Sequence, residues 1–110
     1  MRTALALPLI LLASSALATA GPIDFQRDIQ PIFAEHCTEC HGPDKAKGGL
    51  ALSTRAGALK ELESGAHGVV PGKVEESEMI TRLITTDQDD VMPPKKKTKR
   101  PTAREIDLLK

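Results

Sequence analysis

The sequence predicts a small, mostly α-helical domain of about four short helices, with little or no sheet. Apolar residues recur at helical spacing in two segments, 29–33 and 79–84, which marks one apolar face on each of two helices. A capping box, Thr102-Ala103-Arg104-Glu105, predicts the start of another helix. The extended stretches, 50–52 and 69–70, are short and separated by turn residues.

The four helices follow from local start and stop signals. Asp28 is expected to cap the first helix, which runs through Glu35 with Pro31 in its first turn. A second helix is expected to begin at Ser53 or Thr54 and to continue through Leu62. The acidic residues 75–78 favour the start of a third helix, because the helix dipole stabilises negative charge there. The fourth follows the capping box.

The first twenty residues have the pattern of an export signal. Arg2 supplies the positive start, an apolar run extends over residues 4–12, and Ala18-Thr19-Ala20 fits the small-x-small cleavage rule. We therefore predict a signal peptide at 1–20, a mature domain at 21–110, and a periplasmic or other extracytoplasmic location. A retained N-terminal anchor is the alternative. After cleavage no membrane span is expected.

One motif indicates a specific chemical function. It is Cys37-Thr38-Glu39-Cys40-His41, a C-x-x-C-H sequence typical of covalent haem c attachment. Cys37 and Cys40 would each bond one porphyrin vinyl group, and His41 would ligate the iron on one face. The second nitrogen of His41 should donate to a backbone carbonyl that the sequence does not identify. The haem-free alternatives are a C-x-x-C redox pair and a zinc site, which would need His36 or His67 as a fourth ligand.

Four residues are candidates for the second axial position. Met92 is preferred, because it lies outside any helical stripe, in a proline-rich loop far along the chain from Cys40. Met79 sits on the apolar face of a predicted helix, where core packing is the default. His36 is held next to the attachment turn, and His67 lies in a glycine-flanked loop and is the main competitor of Met92.

Composition excludes some partners. Lysines and arginines balance aspartates and glutamates at 15 each, so net charge indicates neither nucleic acid nor an anionic membrane as a partner. The basic run 95–100 could steer an acidic redox partner, although a solvated loop explains it as well. Gly48-Gly49 could bring the backbone to a haem edge or could form a plain turn.

These residues together resemble the class I cytochrome c domain, and more closely the cytochrome c-like domain of large exported planctomycete proteins. The matching segments are Asp28–Ile32, Cys37–Asp44, Lys47–Leu50, Val70–Lys73, Glu75–Ser77, Met92–Lys95 and Glu105–Ile106. The resemblance implies one haem c enclosed by short helices, and further domains after the haem domain in the same chain. The family usually completes its last helix with an aromatic residue and a glycine, which are missing before Lys110. We therefore expect the sequence to be the N-terminal part of a longer protein.

The function predicted from these residues is electron transfer by an iron that cycles between Fe(III) and Fe(II), with a partner protein or further domains of the same chain as donor and acceptor. A carrier is favoured over a catalyst. The alternative is an oxidoreductase domain. If Met92 does not bind the iron, one coordination position stays open for peroxide or a gas.

Overall fold

The computed structural model describes residues 21–110. The predicted signal peptide, residues 1–20, lies outside the described residues and stays a prediction. In the described part the chain forms short helices and no β-strand. The α-helices are α1 (Gln30–His36), α2 (Thr38–His41), α3 (Arg55–Leu59), α4 (Glu78–Ile84) and α5 (Ala103–Leu109). The all-α prediction is therefore confirmed, with one α-helix more than expected, since the C-x-x-C-H turn forms α2.

The chain enters α1 through a π-helical turn, Phe25–Ile29. The cap is Asp24 rather than the predicted Asp28, and its carboxylate accepts a hydrogen bond from the Arg27 amide at 2.8 Å. Asp28 instead accepts from the Asp24 amide at 2.9 Å and from the Arg27 guanidinium. The Arg27 hydrogen bond, with the Asp24 amide, lowers the pKa of Asp28 to about 2. The helical segment therefore begins earlier than the sequence pattern indicated.

The predicted second helix is shorter in the structure. Thr54 caps α3 by accepting a hydrogen bond from the Gly57 amide at 3.0 Å. The helix ends at Leu59, because Lys60 is extended and the Leu62 amide bonds to the Ala66 carbonyl at 2.8 Å. Leu62 thus belongs to a loop, and its side chain faces the cavity described below.

The buried apolar core is small. Five of the described residues form the buried hydrophobic core: Ile32, Phe33, Leu52, Ile80 and Val91. Ser77, at the start of α4, is buried as well; its hydroxyl accepts from the Val70 amide at 2.9 Å and donates to the Lys73 carbonyl at 3.0 Å. These bonds close the 70–77 loop onto α4. Several other apolar side chains face the cavity.

The C-terminal helix α5 is held more by its cap than by burial. The Thr102 hydroxyl accepts from the Glu105 amide at 3.1 Å, and the Glu105 carboxylate accepts from the Thr102 amide at 3.0 Å. The predicted capping box is confirmed. None of the α5 residues is buried, and the helix lies beside α4 and the π-helical turn.

We predict that Thr102→Ala lowers the free energy of unfolding by about 1 kcal/mol, the usual cost of losing a helix cap. The full reduction in the free energy of unfolding should be measured, because α5 has no buried residue that would compensate for the lost cap. Denaturant unfolding followed by far-UV circular dichroism measures it. Thr86→Ala is the control, since the Thr86 hydroxyl is exposed and makes no hydrogen bond to any described residue. Equal effects of the two changes would contradict the prediction.

Candidate functional site

A cavity of about 620 Å³ opens beside α1 and α2. Its lining brings together Cys37, Cys40 and His41 with Met92, which is more than fifty residues further along the chain. The volume lies within the range of about 300–1,000 Å³ that is usual for cofactor pockets. The two thiols, the imidazole of His41 and the thioether of Met92 therefore line one cavity.

Apolar side chains cover much of the remaining wall. They are Leu50, Leu52, Leu62, Met79, Leu83 and Pro93. Met79 was predicted to pack in the core, and it lines the cavity instead, while its neighbour Ile80 is buried and Ile84 is exposed. The apolar face of α4 is thus divided between the core and the cavity. A flat apolar ligand suits such a wall.

The imidazole of His41 is oriented by a backbone carbonyl. His41 Nδ1 lies 3.2 Å from the carbonyl oxygen of Leu50. A carbonyl can only accept, so Nδ1 carries the proton and Nε2 is left with the lone pair that binds a metal. This is the carbonyl that the sequence predicted without identifying.

The loop between His41 and Leu52 keeps that carbonyl in place. The Leu52 amide donates to the His41 carbonyl at 2.8 Å, and the Gly42 amide donates to the Lys45 carbonyl at 2.8 Å. Gly48 and Gly49 adopt φ angles of 66° and 84°, a region that other residues enter only at a cost of about 1–2 kcal/mol. Gly48 lines the cavity. The glycine pair therefore makes a left-handed turn that presents Leu50 to the imidazole.

The two cysteines are free thiols and partly buried. Burial raises the pKa of the Cys37 thiol to about 11. Cys37 is therefore a neutral thiol at neutral pH. The amides of Cys40 and His41 both bond to the Cys37 carbonyl, at 3.2 Å and 2.9 Å, so the motif forms one tight helical turn.

The Met92 segment is held at both sides by contacts with Arg82 and Arg100 that the sequence did not predict. The Met92 amide donates to the Arg82 carbonyl at 2.9 Å. The Arg100 guanidinium donates to the carbonyls of Met92, at 3.3 Å, and of Pro93. No local sequence signal predicts these contacts, because they join residues seven or more positions apart and each involves a backbone carbonyl.

The basic run after Pro94 is partly engaged within the chain. Lys97 Nζ lies 2.9 Å from a carboxylate oxygen of Glu39, in the middle of the C-x-x-C-H motif, and Lys99 pairs with Glu35 on α1. The hydrogen bond from Lys97 lowers the pKa of Glu39. These ion pairs are exposed and add little to the free energy of unfolding. They nevertheless place the basic run next to α1 and α2. Lys95 and Lys96 are exposed.

The other two histidines occupy different surroundings. His67 is exposed, does not line the cavity, and has Nδ1 3.4 Å from the Leu59 carbonyl oxygen. His36 lines the cavity next to Cys37, and its side chain is only 2% exposed. Of the four candidates for the second axial position, His36, Met79 and Met92 therefore line the cavity and His67 does not.

No helix within residues 21–110 combines the length and the apolar character needed to cross a membrane.

Comparison with known proteins identifies the family. The family model described as Planctomycete cytochrome C matches residues 37–96, more than half of the 110-residue chain. The match contains the C-x-x-C-H motif, the Gly48–Gly49 turn and Met92, and it is shorter than the resemblance noted above, whose segments extend from Asp28 to Ile106. A search of curated proteins and a search of solved structures found no match. Cytochrome c domains bind haem and transfer electrons, typically outside the cytoplasm. The chain belongs to the planctomycete cytochrome c family.

Proposed function

We propose that this chain is an electron-transfer domain that holds one haem c through thioether bonds at Cys37 and Cys40, with His41 and Met92 as the axial ligands. The observation that supports it most directly is that these four side chains line one cavity. When bound, the haem iron supplies reversible one-electron chemistry between Fe(III) and Fe(II). We further propose that the domain is exported and exchanges electrons with a partner protein or with further domains of its own chain.

The residues around the cavity fit a haem group. The cavity has a suitable volume and an apolar wall, and its donors are of the soft sulfur and imidazole types that haem iron accepts. Two thiols at a spacing of three residues meet the requirement for c-type attachment. The fit rests on donor chemistry together with the volume and the apolar lining of the cavity.

His41 is proposed as the proximal ligand through Nε2. Donation of the Nδ1 proton to the Leu50 carbonyl holds the ring and makes the other nitrogen a stronger donor. A stronger nitrogen donor favours the oxidised iron. The Gly48–Gly49 turn therefore tunes the site by holding the Leu50 carbonyl toward the imidazole.

Met92 is proposed as the distal ligand because it lies in a backbone segment that is fixed by Arg82 and Arg100. Met79 lines the same cavity and is the competing sulfur. His67, the competitor named from the sequence, is exposed and outside the cavity lining. His/Met ligation would give a higher reduction potential than two histidines.

We predict that the exported protein carries one haem mass that survives denaturation, as measured by intact mass spectrometry. Cys37→Ala and Cys40→Ala each remove one thioether, so only the double variant should release haem completely on denaturation. His41→Ala should retain the covalent mass but lose the low-spin absorption spectrum, because it keeps both thiols. A protein mass without haem would refute the proposal and favour a haem-free thiol or zinc site.

We predict that Met92→Ala abolishes the weak near-infrared sulfur-to-iron band of the oxidised protein and allows rapid carbon monoxide binding after reduction. Met79→Leu and His67→Gln are the matched controls and should keep the band. If Met79→Leu loses the band while Met92→Ala keeps it, the distal ligand is Met79. Rapid carbon monoxide binding by the unmodified protein would instead favour the open-iron alternative.

We predict that Arg100→Ala weakens Met92 ligation without removing it. The change removes hydrogen bonds to two carbonyls, and one such bond contributes about 1 kcal/mol. Because two such bonds are lost, opening of the loop should rise about five- to thirtyfold, seen as a higher rate of carbon monoxide binding. Arg104→Ala is the control, because its side chain makes no hydrogen bond to any described residue. Equal rates for the two variants would contradict this role of Arg100.

A further inference from the structure

A buried histidine next to the haem-binding turn lacks a hydrogen-bond partner. His36 Nε2 lies 3.5 Å from Glu35 Oε2 and 3.5 Å from Glu105 Oε1. The side chain is 2% exposed, and neither ring nitrogen makes a hydrogen bond with the described residues. Buried polar groups are paired in about nine cases out of ten, so this imidazole needs another partner. Two carboxylates facing the same nitrogen indicate what that partner is.

The distances fit a transition-metal ion. The three ligand atoms from Glu35, His36 and Glu105 all lie within 4.8 Å of one another. Bonds of 2.0–2.2 Å in a tetrahedral site place neighbouring ligand atoms about 3.4 Å apart. The two measured separations from Nε2, both 3.5 Å, agree with that spacing. Three protein ligands and a water molecule would complete four-coordination.

The charges around the group also favour a divalent cation. The Thr102 amide, which donates to the Glu105 carboxylate, lowers the pKa of Glu105, so that group is anionic at neutral pH. Lys99 pairs with Oε1 of Glu35 and leaves Oε2 toward His36. Two carboxylates against one ammonium leave a negative site, and a neutral imidazole is the ligating form. Mixed imidazole and carboxylate ligands suit zinc among the first-row metals.

We propose that Glu35, His36 and Glu105 form a binding site for a first-row divalent transition-metal ion, represented by Zn²⁺, which ties α5 to α1. The site differs from the haem iron site, whose proposed ligands are His41 and Met92. Its structural consequence follows from α5, which buries no residue of its own and contributes Glu105. A metal bound only by the folded chain stabilises it.

The test uses the haem-loaded, chelator-treated protein, in which thioether bonds occupy both cysteines. Calorimetric titration with ZnCl₂ should show one Zn²⁺ per chain, and the melting temperature should rise with Zn²⁺ concentration. Glu105→Gln is the sharpest variant, since glutamine retains the capping box and so preserves α5. We expect Glu105→Gln, Glu35→Gln and His36→Gln each to weaken Zn²⁺ binding by about tenfold or more.

Two control variants distinguish binding at this site from non-specific Zn²⁺ binding. Glu39→Gln alters a nearby carboxylate that pairs with Lys97 and is outside the cluster, so Zn²⁺ affinity should be unchanged. His67→Gln removes an exposed imidazole and should also leave the affinity unchanged. Absence of one-to-one binding, loss of binding in His67→Gln, or unchanged binding in Glu105→Gln would each overturn the proposal. Zn²⁺ binding without a rise in melting temperature would refute the link between α1 and α5.

Discussion

The hydrogen bond between the His41 imidazole and the Leu50 carbonyl is the contact on which the arrangement of the site depends. It determines which ring nitrogen is free and the direction of the ring. It also requires the left-handed turn at Gly48 and Gly49, which turns the chain so that the Leu50 carbonyl meets the ring. The C-x-x-C-H motif supplies the proposed ligand, and the loop that follows it orients the ring through the Leu50 backbone carbonyl.

The Met92 side of the cavity is positioned by contacts with other segments of the chain and not by a helical turn. Met92 lies in a loop, where backbone position is weakly constrained by local structure. Contacts with Arg82 and Arg100 supply that constraint through backbone carbonyls and an amide. The basic run is therefore more than a solvated or docking surface: Arg100 holds the Met92 segment, and Lys97 and Lys99 reach α2 and α1. The proposed sulfur ligand and the basic residues therefore lie in one segment.

The two ends of the domain meet beside the cavity. α1 enters through a π-helical turn and delivers Cys37, and α5 approaches it with Glu105 close to His36. With only five residues in the buried hydrophobic core among those described, the domain has little core to hold such peripheral helices. Helix caps and hydrogen bonds between loops therefore carry a large share of its organisation. Apolar side chains that would pack into the core of a larger domain line the cavity here.

Local patterns in the sequence determined the helical class, the capping box at Thr102 and the C-x-x-C-H motif, because each depends on residues within a few positions of one another. The helix ends at Asp24 and Leu59 were missed, since competing hydrogen bonds moved them. Local spacing likewise could not identify the Leu50 carbonyl, the role of Arg100, the turning of Met79 toward the cavity or the meeting of His36 with Glu105. Only the tertiary structure decided these four features. Each depends on contacts beyond the reach of local sequence patterns and on how the backbone folds around the cavity.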